Sequence, residues 1–397
     1  MNGRFFDPFV ENQGLLHQLD WWFGKRSEKV ARAAILVLED GSVYEGYSFG
    51  AEASTYGEVV FNTSMTGYQE MLTDPSYAGQ ILVLTYPLIG NYGVNEQDIE
   101  SSRIQVRGFV VREDCRQPNH WQSTSTLYQF LENNGIPGIY GVDTRALTKR
   151  LRSQGVMMGA IVTDKSPGEA LEELKGMPRY DSIDFVKEVS TKAPYQWEPL
   201  RNESDSGPHI VVLDCGLKYN ILRILRRLGC EVTAVPCTYS AKQILELKPD
   251  GIVLSPGPGD PALLGYIVDT IKKLVSTKPI MGICLGEQLI GRAFGAATFK
   301  LKFGHRGGNH PVRELDTGRV HITAQNHGYA VDADTLKGGL EISHMNLNDG
   351  TVEGLRHRDL PIISIQYHSE ASPGPRDNLY LFDRFLEMVR GAKRVNK

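Results

Sequence analysis

The stretch PIMGICLG, residues 279–286, decides the fold of the second half of this 397-residue chain. Its apolar residues 279–283 predict a buried strand, and a helix is predicted from Gly286 onward. Glycine on each side of Cys284 permits the sharp strand-to-helix turn that exposes a nucleophile at the edge of a sheet. The alternative is a structural thiol, because cysteine is among the residues that protein cores bury most often.

The segments around this stretch alternate between strands and helices. Predicted strands lie at 209–214, 231–235, 251–254 and 361–366, and predicted helices lie at 220–228, 242–247 and 266–274. This alternation predicts an α/β fold with a doubly wound, mostly parallel sheet over residues 209–391. Ligands bind outside the carboxyl ends of such strands, which is where Cys284 is expected.

The first half of the chain predicts a smaller mixed α/β domain over residues 33–191. Its predicted elements are a hairpin at 33–49, strands at 81–84 and 106–111, and helices at 123–133 and 144–153. Asp143 is the expected N-cap of the last helix. The pattern leaves the topology of this domain open.

Two segments carry little apolar periodicity. Segment 192–208 contains three prolines among polar residues and is the predicted linker between the two domains. Segment 1–32 mixes aromatic and acidic residues and is expected to form a poorly ordered extension. Its acidic residues and the lack of an apolar stretch argue against a secretory signal or a transit peptide.

Composition and charge argue against several classes of protein. Hydrophobic residues make up 41% of the chain and charged residues 23%, which is ordinary for a globular enzyme. With a formal net charge of −4 and no long basic block, nucleic-acid binding is not expected. No apolar run approaches the roughly 18 residues of a membrane span, so no membrane association is expected. Five cysteines without a C-x-x-C pair indicate reduced thiols, so the predicted location is the cytoplasm, with an organellar stroma as the alternative.

Cys284 needs a partner to act as a nucleophile, because a free thiol with a pKa near 8.5 is only about a few per cent ionised at neutral pH. A helix N-terminus adds only about 0.3–1 kcal/mol in favour of the anion. His368, which follows the predicted strand 361–366, is the expected imidazole, and Glu370 would orient it if extended geometry persists. The alternative is an ordinary surface pair after a strand.

The loop SPGPGDP at 255–261 follows another predicted strand. Its prolines keep it rigid and its glycines let backbone N–H groups approach a ligand, so it can donate to an oxyanion. It lacks the Gly-Lys-Ser/Thr ending of a phosphate loop, so nucleotide binding is not indicated. A simple tight turn is the alternative.

The cysteine elbow, the proline–glycine loop and the late His-x-Glu, in this order, resemble the class I (triad) glutamine amidotransferases. Four segments of the first half resemble the amino-terminal domain of carbamoyl-phosphate synthase small subunits: GEVVFNTSMTGYQE at 57–70, LTDPSY at 72–77, LTYP at 84–87 and GIPGIYGVDTR at 135–145. The chain is therefore identified as a member of that family over nearly everything after residue 32.

The resemblance implies a role for individual residues. Cys284 would be the nucleophile, His368 the acid/base and Glu370 its orienting partner. The implied glutamine contacts are Ser76, Gly257, Gly259, Leu285, Gln288, Asn326, Gly328 and Tyr329. Backbone N–H groups of Leu285 and of the Gly257 loop would form the oxyanion hole. Residues 325–329 are expected to form a loop, His327 is interpreted as structural, and His305 and His310 are given no metal-binding role.

The resemblance also implies a reaction and a partner. L-Glutamine would be hydrolysed to glutamate and ammonia through a cysteine thioester. The ammonia would pass to a separate carbamoyl-phosphate synthase large subunit that binds ATP, Mg and bicarbonate, so no cofactor is expected on this chain. A heterodimer or a higher oligomer is implied, serving arginine or pyrimidine synthesis. The alternatives are a stand-alone cysteine hydrolase and a scaffolding subunit with impaired catalysis.

Two residues depart from the pattern of the family. Glu287 stands where histidine is common, and an acid one turn from Cys284 would oppose ionisation of the thiol. Ser369 stands where proline usually separates the histidine from the glutamate, and serine would leave that corner looser. Neither change removes a catalytic atom.

Overall fold

The computed structural model describes residues 32–197 and 207–395. The predicted extension at 1–32 lies outside these residues except for Arg32. In the part of the chain that the structure describes, no helix is long and apolar enough to cross a membrane.

The first half of the described chain is a closed seven-stranded barrel with helices around it. Its strands are β1 (Ala33–Leu38), β2 (Val43–Gly50), β3 (Thr55–Asn62), β4 (Gln80–Leu84), β5 (Leu88–Ile89), β6 (Gly108–Val110), β7 (Glu113–Asp114), β8 (Pro137–Tyr140) and β9 (Met157–Val162). The barrel order is β1-β2-β8-β6-β4-β3-β9, and β5 pairs only with β7. Its helices are α1 (Tyr68–Thr73), α2 (Leu127–Asn133), α3 (Thr144–Gln154), α4 (Pro167–Lys175) and α5 (Val186–Val189).

The predicted elements of this half are found, but the strand expected at 106–111 is confined to Gly108–Val110 and one helix begins late. The hairpin forms as expected, and the Asp143 side chain accepts a hydrogen bond from Ala146 N at 2.9 Å, as predicted for an N-cap. The helix expected from residue 123 begins only at Leu127. Thr126 and Gln129 form a capping box at that point, so the chain before it stays extended.

The second half is built on one ten-stranded sheet with helices on both faces. Its strands are β10 (Tyr195–Gln196), β11 (His209–Asp214), β12 (Glu231–Pro236), β13 (Gly251–Leu254), β14 (Ile280–Ile283), β15 (Thr298–Glu314), β16 (Val320–Val331), β17 (Leu340–Asn346), β18 (Val352–His357) and β19 (Ile362–Ile365). Its helices are α6 (Tyr219–Arg227), α7 (Ala241–Glu246), α8 (Gly265–Leu274), α9 (Leu285–Ala293) and α10 (Tyr380–Val395).

The strands β12-β11-β13-β14-β19 are parallel and form the doubly wound centre that the alternating pattern predicted. Val211 and Leu213 pack towards α7, α8 and α9, whereas Ile210 and Val212 pack towards α6 and α10. Both faces of β11 are therefore buried, as is usual for parallel strands. The sheet continues through the antiparallel strands β18, β17, β15 and β16.

Two predictions about irregular segments are corrected. Tyr195–Gln196, inside the predicted linker 192–208, form an edge strand antiparallel to β12, and residues 198–206 lie outside the description. Residues 325–329 lie within β16 and not in a loop. Their polar side chains resemble those of a loop because this part of the strand lines a polar site instead of an apolar core.

Candidate active site

Cys284 lies at the elbow between β14 and α9, as predicted. Its φ of 54° is in the left-handed region, which non-glycine residues enter only when the surrounding structure holds them there. A Cβ on Gly286 would overlap the carbonyl oxygen of Leu254, and a Cβ on Gly282 would come within 2.7 Å of the Ile290 side chain. Glycine on both sides is therefore required for the turn that places the thiol above the sheet.

His368 and Glu370 form a buried pair beside Cys284. The His368 Nδ1–H donates to Glu370 Oε1 at 2.7 Å, and the His368 backbone N–H donates to Ala324 O at 2.9 Å. Burial alone would lower the pKa of His368, but the charges of Glu370 and Cys284 raise it to about 10. Glu370 thus holds one nitrogen of the ring, as the third member of a triad does, while Nε2 has no hydrogen-bond partner among the described residues and the Cys284 thiol donates to Asn326 O at 3.7 Å.

Lys218 is a further member of this group that the sequence did not reveal. Its Nζ lies 3.0 Å from Glu370 Oε1 and donates to Ala371 O at 2.6 Å, and its side chain is only 2% exposed. Burial raises the pKa of Glu370, but Lys218 and then His368 lower it to about 2. Nothing in the segment around Lys218 signals this role, because the contact joins distant parts of the chain.

The triad makes folding depend on pH. The pKa of His368 rises from about 6.5 in an unfolded chain to about 10, so the stability contributed by its protonated ring is complete below pH ~6.5 and is lost as pH rises through about 10. We expect the difference in unfolding free energy between this protein and His368→Asn to shrink by roughly 2–5 kcal/mol between about pH 6 and pH 10. Denaturant titrations across that range measure it, and a constant difference would contradict the prediction.

One pocket contains all but one of the predicted substrate contacts together with the nucleophile. It is lined by Glu58, Ser76, Gln80, Val156, Tyr180, Gly257, Pro258, Gly259, Cys284, Gln288, Lys300, Arg306, Asn326, His327, Gly328 and Tyr329. Leu285 is the predicted contact that does not line it. The pocket takes residues from both the barrel and the sheet, so neither half forms it alone.

Asp74 organises the side of this pocket that comes from the barrel. It accepts hydrogen bonds from Ser76 N and from Asn326 Nδ2, both at 2.9 Å. Ser76 Oγ is buried and has no hydrogen-bond partner among the described residues, so it is free to bind a ligand. On the sheet side, Gln288 Nε2 donates to Tyr329 O at 2.8 Å, which fixes that wall.

The proline–glycine loop lies directly beside the elbow. A Cβ on Gly257 would overlap Cys215 O and lie 2.7 Å from Leu285 Cδ2, so the two predicted oxyanion donors are neighbours. Leu285 itself is buried and points into the core under the sheet. The arrangement fits its predicted role as a donor of a backbone N–H group, which does not require its side chain to line the pocket.

Gly257→Ala should therefore reduce turnover more than it reduces stability. The added methyl group must displace the loop, and loss of one oxyanion donor costs about 10²–10³-fold in kcat. Steady-state glutaminase kinetics and thermal unfolding would be measured together. Gly265→Ala is the matched control, because a Cβ there meets nothing within 4 Å and should leave both quantities nearly unchanged. Equal behaviour of the two variants would exclude the proposed role of the loop.

The expected influence of Glu287 on Cys284 stays a prediction, and burial is the main feature of its environment. The residue is fully buried where α9 packs on β18 and β19. Burial raises the pKa of Glu287 well above its ordinary value, and the charge of Glu353 raises it further. Burial therefore disfavours the charged form of Glu287, which is the form that would oppose ionisation of Cys284.

The corner around Ser369 is held by contacts from both halves. Asn220 Nδ2 donates to Glu370 O at 2.6 Å, and Ser372 Oγ donates to Glu100 Oε1 at 2.8 Å. Ser369 itself is fully buried. The Ser369 hydroxyl has no hydrogen-bond partner among the described residues and adds no restraint of its own, so the expectation of a looser corner stays a prediction.

The interpretation of His305 as lacking a metal-like context is also corrected. His305 on β15 pairs across the sheet with His327 on β16, and Glu353 reaches them from β18. The three buried side chains each offer a ligand atom, and these atoms lie within 4.8 Å of one another. Spacing along the sequence could not reveal this group because it depends on the register of two strands.

The fold and the triad define a class I glutamine amidotransferase domain joined to a barrel. Residues 211–388 match the family described as glutamine amidotransferase class-I. Residues 36–161 match the family described as carbamoyl-phosphate synthase small chain, CPSase domain.

Relatives extend the match over almost the whole chain. They carry the name carbamoyl phosphate synthase small chain, and three of them show the extent of the match. The relative from Solidesulfovibrio magneticus is 50% identical over 369 residues, which is 90% of this chain and 98% of the relative. The relatives from Akkermansia muciniphila and Aquifex aeolicus are 51% and 50% identical, and they cover 91% of this chain and 98% and 100% of their own lengths. The chain belongs to the carbamoyl-phosphate synthase small chain family, which confirms the identification made from its motifs.

Proposed function

We propose that this chain hydrolyses L-glutamine through a Cys284 thioester and delivers the ammonia to a separate large subunit. The observation that carries the proposal is the pocket shared by the two halves, which Cys284 lines together with seven of the predicted substrate contacts, and the buried His368–Glu370 pair supports it. Family membership supports the same reading, since the relatives are named as small chains of carbamoyl phosphate synthase.

The geometry supports a two-step reaction. Cys284 Sγ would attack the side-chain amide carbon of glutamine while backbone N–H groups of Leu285 and Gly257 bind the developing oxyanion. His368 would give a proton to the departing ammonia, which leaves a thioester. Water would then attack the thioester with His368 as the base, releasing glutamate and restoring the thiol.

The charges in the pocket suit an amino acid. Lys300 Nζ lies 2.8 Å from Glu58 Oε1, and Arg306 is a second cation in the lining. A zwitterionic substrate has both an ammonium and a carboxylate group, and both find an opposite charge here. Esters and peptides without a free α-amino and α-carboxyl group would gain nothing from these charges, which disfavours a stand-alone hydrolase of another specificity.

The partner would supply the chemistry that this chain does not provide. ATP, Mg and bicarbonate are expected on the large subunit, where ammonia would be consumed, and the pair would form a heterodimer or a higher oligomer. The cytoplasmic location inferred from the cysteines remains a prediction.

Reconstitution with a large subunit tests the proposal. The full chain is mixed with a purified carbamoyl phosphate synthase large subunit, and glutamate and carbamoyl phosphate are measured with glutamine or with ammonium chloride as the nitrogen source. Stoichiometric formation of both products from glutamine is expected. If carbamoyl phosphate forms from ammonium chloride but not from glutamine, the chain is a scaffolding subunit. If the chain hydrolyses a panel of esters without the large subunit, it is a stand-alone hydrolase.

A further inference from the structure

A group of polar side chains lies buried between β15, β16 and β18, outside the triad. His305, His327 and Glu353 are 6%, 5% and 0% exposed, and their potential ligand atoms lie within 4.8 Å of one another. His305 and His327 are direct cross-strand partners, which brings the two rings to a centroid distance of 4.9 Å. The mechanism proposed above uses none of these groups as a reactant.

The outer nitrogen of each ring is already held in the way that metal-binding histidines are held. His305 Nε2–H donates to Asp349 Oδ2, and His327 Nδ1–H donates to the Tyr329 backbone carbonyl, both at 2.8 Å. Histidines that bind metals almost always donate their second N–H to a carboxylate or a backbone carbonyl. The inward-facing nitrogens are then His305 Nδ1 and His327 Nε2.

The carboxylate is held in the same manner. Glu353 accepts hydrogen bonds from Asn346 Nδ2 at 2.7 Å and from Gln325 Nε2 at 2.8 Å. Its Oε1 lies 3.4 Å from His305 Nδ1. Bonds of about 2.0–2.1 Å from a tetrahedral ion place two ligand atoms roughly 3.4 Å apart, so this pair already has the required separation.

Asn346 Nδ2 also lies 3.5 Å from His305 Nδ1, and one further contact of the group favours a cation. His327 Nε2 faces Gln325 Oε1 at 3.0 Å, and with the ring proton on Nδ1 both atoms are acceptors. Two facing acceptors repel each other, whereas a cation between them would bind both. Gln325 Oε1 can therefore act as the fourth ligand beside the two imidazoles and the carboxylate.

We infer that His305, His327 and Glu353 form a divalent transition-metal site, completed by Gln325, for which zinc is the best-matched ion. Two imidazoles and a carboxylate with a tetrahedral arrangement are typical of zinc, whereas magnesium and calcium prefer oxygen ligands. Asp349, whose side chain is 41% exposed, gives the ion a route from solvent. A bound ion would fix His327, whose ring holds the Tyr329 carbonyl in the wall of the glutamine pocket.

The test measures binding of zinc alone to the metal-stripped full chain carrying Cys284→Ala. That substitution removes the triad thiol, which could itself bind zinc, so the two sites are distinguished. Competition against a chromophoric chelator should show one equivalent of zinc, and cobalt should give the visible absorption of a tetrahedral site. Zinc should also raise the unfolding temperature.

Three further substitutions in this background decide the assignment. Glu353→Gln should weaken zinc binding at least about 100-fold, and Asp349→Asn, at the surface, should weaken it about 10–100-fold without disturbing the fold. His310→Asn is the matched control, because its ring lies 5.2 Å from that of His305 without belonging to the group, and zinc binding should be unchanged. Absence of zinc binding in Cys284→Ala, or a zinc affinity of Glu353→Gln equal to that of the Cys284→Ala background, would overturn the inference without affecting the glutaminase proposal.

Discussion

Cys284→Ala should abolish glutamine hydrolysis while leaving the protein folded. Removal of a covalent nucleophile lowers kcat by at least about 10⁴-fold, because no other thiol lines the described pocket. The side chain is 1% exposed and alanine retains its Cβ, so the loss in unfolding free energy should stay near 1–2 kcal/mol. In complex with a large subunit, synthesis from free ammonium should persist.

Cys230→Ala provides the comparison for this result. Cys230 is also fully buried, and it packs in the core under α6 and α10, away from the pocket. Cys230→Ala should lose a similar amount of unfolding free energy as Cys284→Ala, and its rate of glutamine hydrolysis should stay within about twofold of that of the unaltered protein. If Cys284→Ala retained the rate of Cys230→Ala, the assignment of the nucleophile would be wrong.

Lys218→Met should have the largest effect on stability. It leaves Glu370 buried without the cation that lies 3.0 Å away, and breaking a buried ion pair costs about 3–5 kcal/mol. The carboxylate would also orient His368 less firmly, and a displacement of about 1 Å at such a group costs roughly 10²-fold in kcat. Denaturant unfolding and steady-state kinetics measure the two effects separately.

A double substitution shows whether the pair itself is responsible. Lys218→Met combined with Glu370→Gln removes both charges, so it should be more stable than Lys218→Met alone. Lys272→Met is the surface control, because Lys272 pairs with Asp269 at 3.3 Å in an exposed position and should lose less than about 1 kcal/mol. Equal destabilisation by Lys218→Met and Lys272→Met would contradict a structural role for the buried pair.

Local patterns were enough to predict the reactive centre. The elbow at Cys284 needs two glycines and an adjoining strand and helix, all of which lie within one short stretch. Cys284, His368 and Glu370 could be grouped because their order along the chain resembles one family. The hairpin at 33–49 and the helix capped by Asp143 follow equally local rules.

Long-range contacts could not be predicted in the same way. Lys218 reaches Glu370 only because the fold joins the start of α6 to the end of β19. Asn326 and Asp74 are 252 positions apart, and no periodicity links them. Strand patterns assume an apolar buried face, so the polar run 325–329 predicts a loop. In the structure this run is part of a strand, and its polar face forms the wall of a ligand pocket.

The contacts between Glu100 of the barrel half and the corner after β19 have a mechanical consequence. Glu100 accepts hydrogen bonds from Ser372 Oγ and Arg223 Nη1, so it connects the barrel to the segment that carries the catalytic imidazole. A protein that binds the barrel and displaces Glu100 would strain the hydrogen bond to Ser372, which lies four residues after His368. Turnover could then be accelerated or suppressed from a distance, with the chemistry of the three reactive groups left intact.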